Sequence, residues 1–201
     1  MHLAVFGGSF DPPHNGHLAL CLFARELLEI DRIIISVSNN PLKQSQVARD
    51  ADRLAMARLL SAEINLAGEC SEVSRWELDQ LKPSYTIDLL RHIRALYPDA
   101  TLTLLVGEDS YRDFSLWKEP EEICSLAGIA VFGRKQEGGH PSLPETGVKA
   151  ASVRLIDFAT PVSSSAVRRL IAAGGSVEGL VPASVLRYIT EQKLYSQPPI
   201  T

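Results

Sequence analysis

Two histidines three residues apart, His14 and His17, follow a loop of Gly7, Gly8, Ser9, Phe10, Asp11, Pro12 and Pro13. Glycines lack a Cβ and let backbone approach a phosphate closely. A helix starting at about Gly16 would present free N–H groups and the positive end of its dipole to an anion. Two imidazoles there suit a site where negative charge builds up on phosphate oxygens. At this spacing they can share one helix face, or His14 can lie in the preceding loop. Other chemistries fit less well. The Gly-x-Gly-x-x-Gly fingerprint of dinucleotide sites is absent, as is the Gly-Lys-Ser/Thr of a Walker loop. His-x-x-His lacks the nearby third ligand of a zinc site, so no metal held by the protein itself is expected.

A second constellation lies far along the chain, in Thr160-Pro161-Val162-Ser163-Ser164-Ser165-Ala166-Val167-Arg168. Hydroxyls at a helix start can cap it and donate to phosphate oxygens, and a guanidinium one turn in can clamp two such oxygens. The plain alternative is a serine-rich cap with a solvated arginine. Ser84 reads as the N-cap of a helix from Tyr85 to Leu96, with Asp88 in its early turns. Trp117, taken alone, reads as a core residue.

These residues need a frame. Short buried strands are expected at His2 to Phe6, ended by Gly7 and Gly8, and at Ile33 to Val37, broken by Asn39-Asn40-Pro41. Further strands are expected at Glu72 to Leu78, Leu102 to Val106, Ile129 to Phe132 and Val153 to Ile156. Helices are expected at about Gly16 to Glu29, Asp50 to Ala62, Tyr85 to Leu96, Trp117 to Leu126, Ser164 to Ala173 and Ala183 to Gln192. Gln136 to Gly147, rich in Gly, Pro and Glu, reads as an exposed loop. Alternating strands and helices imply an α/β fold: a Rossmann-like, doubly wound parallel sheet with helices on both faces and a C-terminal helical segment at about 160–195. Ligands in such sheets bind at the carboxyl ends of the strands.

At 201 residues the chain suits one domain, 1–201, with a sizeable core. Its 45% apolar and 22% charged residues argue against disorder. A formal charge of −4 with both signs interspersed gives no basic stripe, so no nucleic-acid partner is expected. Cys21, Cys70 and Cys124 are odd in number and far apart, which argues against a disulfide framework and fits a reducing compartment. Cys21 and Cys124 sit among apolar neighbours and read as buried thiols. No charged n-region with a cleavage site precedes the first strand, and no apolar run reaches the roughly 20 residues of a membrane span. A cytoplasmic protein without a membrane partner is expected.

Gly8-Ser9-Phe10-Asp11-Pro12-Pro13-His14-Asn15-Gly16-His17 resembles the signature of the HIGH-type nucleotidyltransferases, which transfer nucleotidyl groups without a covalent enzyme intermediate. It is closely similar to that of their bacterial nicotinate mononucleotide adenylyltransferase branch. Thr160 to Arg168 looks like the family's Ile-Ser-Ser-Thr-x-Ile-Arg motif, and Lys82-Pro83-Ser84-Tyr85-Thr86-Ile87-Asp88 like its Ser-Tyr-Thr-x-Asp segment. Leu105-Val106-Gly107-Glu108-Asp109 followed by Trp117 resembles Gly-x-Asp…Trp. Leu180 to Ala183, Tyr188-Ile189 and Leu194-Tyr195 resemble the branch's closing segment, so the resemblance spans about residues 3–195.

The resemblance implies transfer of the adenylyl group of ATP to nicotinate mononucleotide, with Mg²⁺ accompanying ATP. It implies that His14, His17, Lys43 and Arg168 act on the phosphates. Gly7, Gly8, Ser9, Phe10, Gly16, Gly107, Asp109, Ser163, Ser164 and Ser165 would complete the ATP site. Ser9, Asn39, Lys43, Tyr85 and Thr86 would meet the pyridine nucleotide, and the indole of Trp117 would stack on its ring. The chain departs from the branch after the second strand. Pro-Pro-His-Lys is usual there, and Asn40-Pro41-Leu42-Lys43 stands in its place. Ser9 and Ser165 replace threonines and keep the hydroxyls. Nicotinamide mononucleotide and phosphopantetheine remain open as acceptors. So does a non-catalytic nucleotide-binding module, which loss of His14, His17 or Arg168 would have favoured.

Overall fold

The structure, a computed structural model, describes residues 1–39, 47–133, 152–158 and 160–196. Six strands form one parallel sheet in the order β3-β2-β1-β4-β5-β6. They are β1 (His2–Gly8), β2 (Arg32–Val37), β3 (Ser71–Ser74), β4 (Thr101–Gly107), β5 (Gly128–Gly133) and β6 (Val153–Asp157). The central strands β1, β2, β4 and β5 read as largely apolar runs because both sheet faces are covered there, whereas the edge strands β3 and β6 carry polar and charged residues. Alternate residues go to opposite faces. Ala4, Phe6, Ile33, Ile35, Leu105 and Phe132 face one layer, built from α1 (Asn15–Leu28) and α2 (Asp50–Asn65). Leu3, Val5, Ile34, Leu104, Val106 and Val131 face the other, built from α3 (Thr86–Leu96), α4 (Glu108–Arg112) and α5 (Pro120–Leu126).

A third cluster lies outside the sheet. Met56, on the outer side of α2, packs with Val167 of α6 (Ser164–Ala172), with Val177 and Val181, and with Val185 and Ile189 of α7 (Ala183–Glu191). This docking carries the serine-rich start of α6 back to the first loop. Burying a side chain of this size contributes about 1.5–3 kcal/mol, so the patch is a firm anchor.

The elements depart from expectation at five places, the first being the helix expected from Trp117, which starts only at Pro120. β1 runs on through Gly7 and Gly8, which pair with Ser36 and Val37. The third strand stops at Ser74, and Arg75 to Gln80 fold into a turn in which Asp79 N–H donates to the Arg75 carbonyl at 3.2 Å. Helix α3 is capped by Tyr85, not Ser84, and Asp88 accepts the Tyr85 N–H at 3.1 Å. The Ser84 hydroxyl is committed elsewhere, donating to Glu77 Oε2 at 3.0 Å. Helix α4, five residues long, carries too little periodicity to be legible and is pinned by an Arg112–Glu108 pair at 2.7 Å. Lys43 and the loop at Gln136 to Gly147 lie outside the described residues. All three cysteines are buried and unpaired, and burial pushes the Cys21 thiol far above its ordinary range.

Candidate active site

Strand order reverses between β1 and β4, and a cleft of about 1340 Å³ opens there at the carboxyl ends of the strands. A single small ligand fills roughly 300–1,000 Å³, so there is room for two nucleotides. Gly7, Gly8, Ser9, Phe10, His14, Gly16, His17, Tyr85, Thr86, Gly107, Asp109, Trp117, Ser164, Ser165 and Arg168 all line it. Asn39 and Ser163 are outside the lining. Asn39 Nδ2 donates to the Glu77 carbonyl at 3.3 Å, and Ser163 caps α6 by accepting the Ala166 N–H.

The first loop is folded over its own aromatic ring. Phe10 has φ +48° and is 1% exposed, its ring meeting Phe6 edge-on at 5.6 Å and His17 at 5.3 Å. A Cβ at Gly8 would stand 2.9 Å from that ring, so the turn needs glycine there. At Gly16 a Cβ would meet Thr160 Oγ1 at 2.5 Å and His14 Nδ1 at 2.9 Å. Gly7 and Gly107 differ, because a Cβ at either meets nothing within 4 Å. The space in front of them belongs to the cleft.

His14 is the N-cap of α1 and His17 its third residue, and their rings stack at 3.7 Å with 22° between planes. His17 Nδ1 accepts the His14 N–H at 3.1 Å. The neutral His17 ring therefore carries its proton on Nε2, as a donor at the positive end of the helix. His14 is buried, and its Nδ1 has no hydrogen-bond partner. Burial pushes its pKa from 6.5 down to about 4. A base depressed in the fold is protonated more readily in the unfolded chain. Stability is therefore lost as pH falls from 6.5 towards 4, with no further loss below that. The full span corresponds to about 3 kcal/mol. An NMR titration should find the His14 ring still neutral at about pH 5. A ring that charges at the ordinary value would place it in water instead.

Arg168, the Ser164 hydroxyl and a buried carboxylate join α6 to this loop. Arg168 Nη1 donates to the Asp11 carbonyl at 2.6 Å, and Ser164 Oγ to the Pro12 carbonyl at 2.8 Å. Asp11, 1% exposed, accepts the Val47 N–H at 2.6 Å, the Ala48 N–H at 3.1 Å and the Tyr195 hydroxyl at 2.6 Å. Arg168 Nη1 stands 3.8 Å from the Asp11 carboxylate. Arg53 is fully buried in α2, and its Nη1 donates to the Ser9 carbonyl at 3.0 Å and the Ser38 carbonyl at 3.1 Å. It fastens the loop after β1 to the loop after β2. Residue type and spacing give neither Asp11 nor Arg53 a role; the place of Asp11 inside the Gly8-to-His17 motif is the one signal for either.

On the opposite wall the start of α3 and the segment before α5 meet. Lys118 Nζ lies 5.1 Å from the Tyr85 ring centroid and 3.2 Å from Asp88 Oδ1, and Trp117 packs on Phe114 at 5.3 Å. Asp109, which lines the cleft, has a side chain 98% exposed beside Arg112.

A family model described as cytidylyltransferase-like matches residues 5–170 and sets the class. A relative from Pelodictyon phaeoclathratiforme, described as "Probable nicotinate-nucleotide adenylyltransferase", is 56% identical over 98% of this chain and 92% of its own. One of the same description from Chlorobium luteolum is 56% identical over 98% of this chain and 100% of its own. The fold is shared with a solved Plasmodium falciparum nicotinic acid mononucleotide adenylyltransferase complexed with NaAD. That likeness has a TM-score of 0.78 at 19% identity, covering 96% of this chain and 97% of the other. The chain belongs to the nicotinate-nucleotide adenylyltransferase family within the cytidylyltransferase-like class.

Proposed function

We propose that this chain transfers the adenylyl group of ATP to nicotinate mononucleotide, releasing pyrophosphate and forming nicotinate adenine dinucleotide. The observation that carries the reading is the meeting of His14, His17 and Arg168 in one cleft with the Gly7-Gly8 turn, opposite Tyr85, Thr86 and Trp117. The phosphate of the acceptor attacks the α-phosphorus of ATP. One P–O bond forms, and the bond to the β-phosphate breaks. A phosphate monoester is already anionic near neutral pH, so the site needs no strong base. Its work is to position two anions and to receive developing charge. His17 faces the α-phosphate, while His14, Arg168 and Lys43 serve the rest of the triphosphate.

Among the described residues no group of three His, Cys, Asp or Glu side chains is placed to hold a metal ion. Magnesium would arrive on the nucleotide, held mainly by phosphates and water. When bound, it neutralises charge on the triphosphate and on the departing pyrophosphate. Three buried, unpaired thiols fit a reducing cytoplasm, and no described helix is long and apolar enough to cross a membrane.

Turnover with Mg-ATP and each of nicotinate mononucleotide, nicotinamide mononucleotide and phosphopantetheine tests the reading. Nicotinate mononucleotide is expected to be used best. Faster use of another acceptor would reassign the substrate, and ATP binding without pyrophosphate release for all three would make the chain a binding module.

A further inference from the structure

Glu77 takes no part in the proposed transfer, yet it lines the cleft while only 4% exposed. It stands in the turn that replaces the far half of the expected third strand. Its Oε1 accepts the Ser36 hydroxyl at 2.7 Å and its Oε2 accepts the Ser84 hydroxyl at 3.0 Å. Its backbone carbonyl accepts Asn39 Nδ2 at 3.3 Å. The three partners belong to two segments. Ser36 is in β2, Asn39 follows β2, and Ser84 immediately precedes Tyr85 and Thr86. Burying a carboxylate among neutral donors is costly, and a residue needed only to fill the space would be apolar. A carboxylate can take a hydroxyl on each oxygen and so fix the distance between the two segments that supply them.

We propose that Glu77 is a positioning residue for the acceptor nucleotide. It sets the separation between the lip of β2, carrying Asn39, and the start of α3, carrying Tyr85 and Thr86. The inference rests on the reading of this wall as the acceptor side. The loop that serves ATP is held by the Asp11 bonds and by Arg53, which joins the Ser9 and Ser38 carbonyls; neither set uses a partner of the Glu77 carboxylate. Loss of Glu77 should therefore act on one substrate only. In Glu77→Gln the amide oxygen still accepts one serine, and the other serine hydroxyl can turn to accept from the amide N–H. In Glu77→Ala neither bond survives.

Steady-state kinetics with each substrate varied in turn decide the matter. Glu77→Ala is expected to raise KM for nicotinate mononucleotide by about tenfold or more. KM for ATP should stay within about twofold and kcat within about threefold. Glu77→Gln should recover most of the loss, and Ser84→Ala should show a smaller effect of the same kind. Equal rises in both KM values, or an unchanged acceptor KM in folded Glu77→Ala, would overturn the proposal. If Glu77→Ala does not fold, Ser84→Ala decides by the same split: a rise confined to the acceptor supports the role, and any other result refutes it. Wild-type protein that fails to use nicotinate mononucleotide at all would instead defeat the functional reading, and this inference with it.

Discussion

Replacing His17 with alanine is expected to lower kcat by about 10²–10³-fold while leaving the fold in place. The His17 ring is held in one orientation, because Nδ1 accepts the His14 N–H and the ring packs between His14 and Phe10. Donors fixed before the reaction need no reorganisation when charge reaches the α-phosphate oxygens, so the loss should fall on kcat more than on KM. The structural cost is small. The His14 N–H loses one acceptor, worth about 1 kcal/mol, or roughly 2–4 °C in Tm for a domain of this size. Pyrophosphate release measured beside a thermal melt separates the two effects. A folded variant within threefold of wild-type kcat would remove His17 from the reacting phosphate.

The largest stability effect is expected from Asp11→Asn. Both oxygens of the buried Asp11 carboxylate accept hydrogen bonds, two from backbone N–H and one from the Tyr195 hydroxyl. Asparagine must turn its N–H₂ towards one set of those donors, leaving donor against donor in a buried site. It also removes the charge that faces Arg168. The expected loss is about 3 kcal/mol, or roughly 10 °C in Tm, with activity falling as Arg168 is released. Tyr195→Phe removes a single bond and should cost only about 1 kcal/mol. That hydroxyl stays protonated, because burial and its bond to Asp11 push its pKa far upward. An Asp11→Asn protein melting within about 2 °C of wild type would show that the carboxylate is not what ties this region together.

The centre of the sheet was legible because strands covered on both faces are largely apolar, as Ile33-Ile34-Ile35 are, and because Gly, Pro and Asn punctuate them. His14, His17 and Arg168 were legible because their residue types and spacings suit phosphate chemistry before any contact is known. Arg53, Asp11 and Glu77 were not. Arg53 sits in a helical stretch where an arginine looks like surface, and only the fold brings the Ser9 and Ser38 carbonyls to it. Glu77 lay inside an apparent strand, and its inward turn depends on Ser36, 41 residues earlier. The misplaced cap of α3 has the same origin, since Ser84 answers to Glu77 and not to its own helix. Buried polar contacts between remote segments leave no local pattern in a sequence, whereas periodicity and capping do.

The loop proposed to receive the triphosphate is fastened by residues 164 to 184 positions further along the chain. Asn15 N–H donates to the Leu180 carbonyl, Asn15 Nδ2 to the Gly179 carbonyl, and Tyr195 reaches Asp11 across 184 positions. During synthesis on the ribosome, the histidines emerge well before Gly179, Leu180 and Tyr195, and their surroundings close only after those residues follow. A nascent or prematurely released chain thus lacks a finished pocket, and nucleotide capture comes late in assembly.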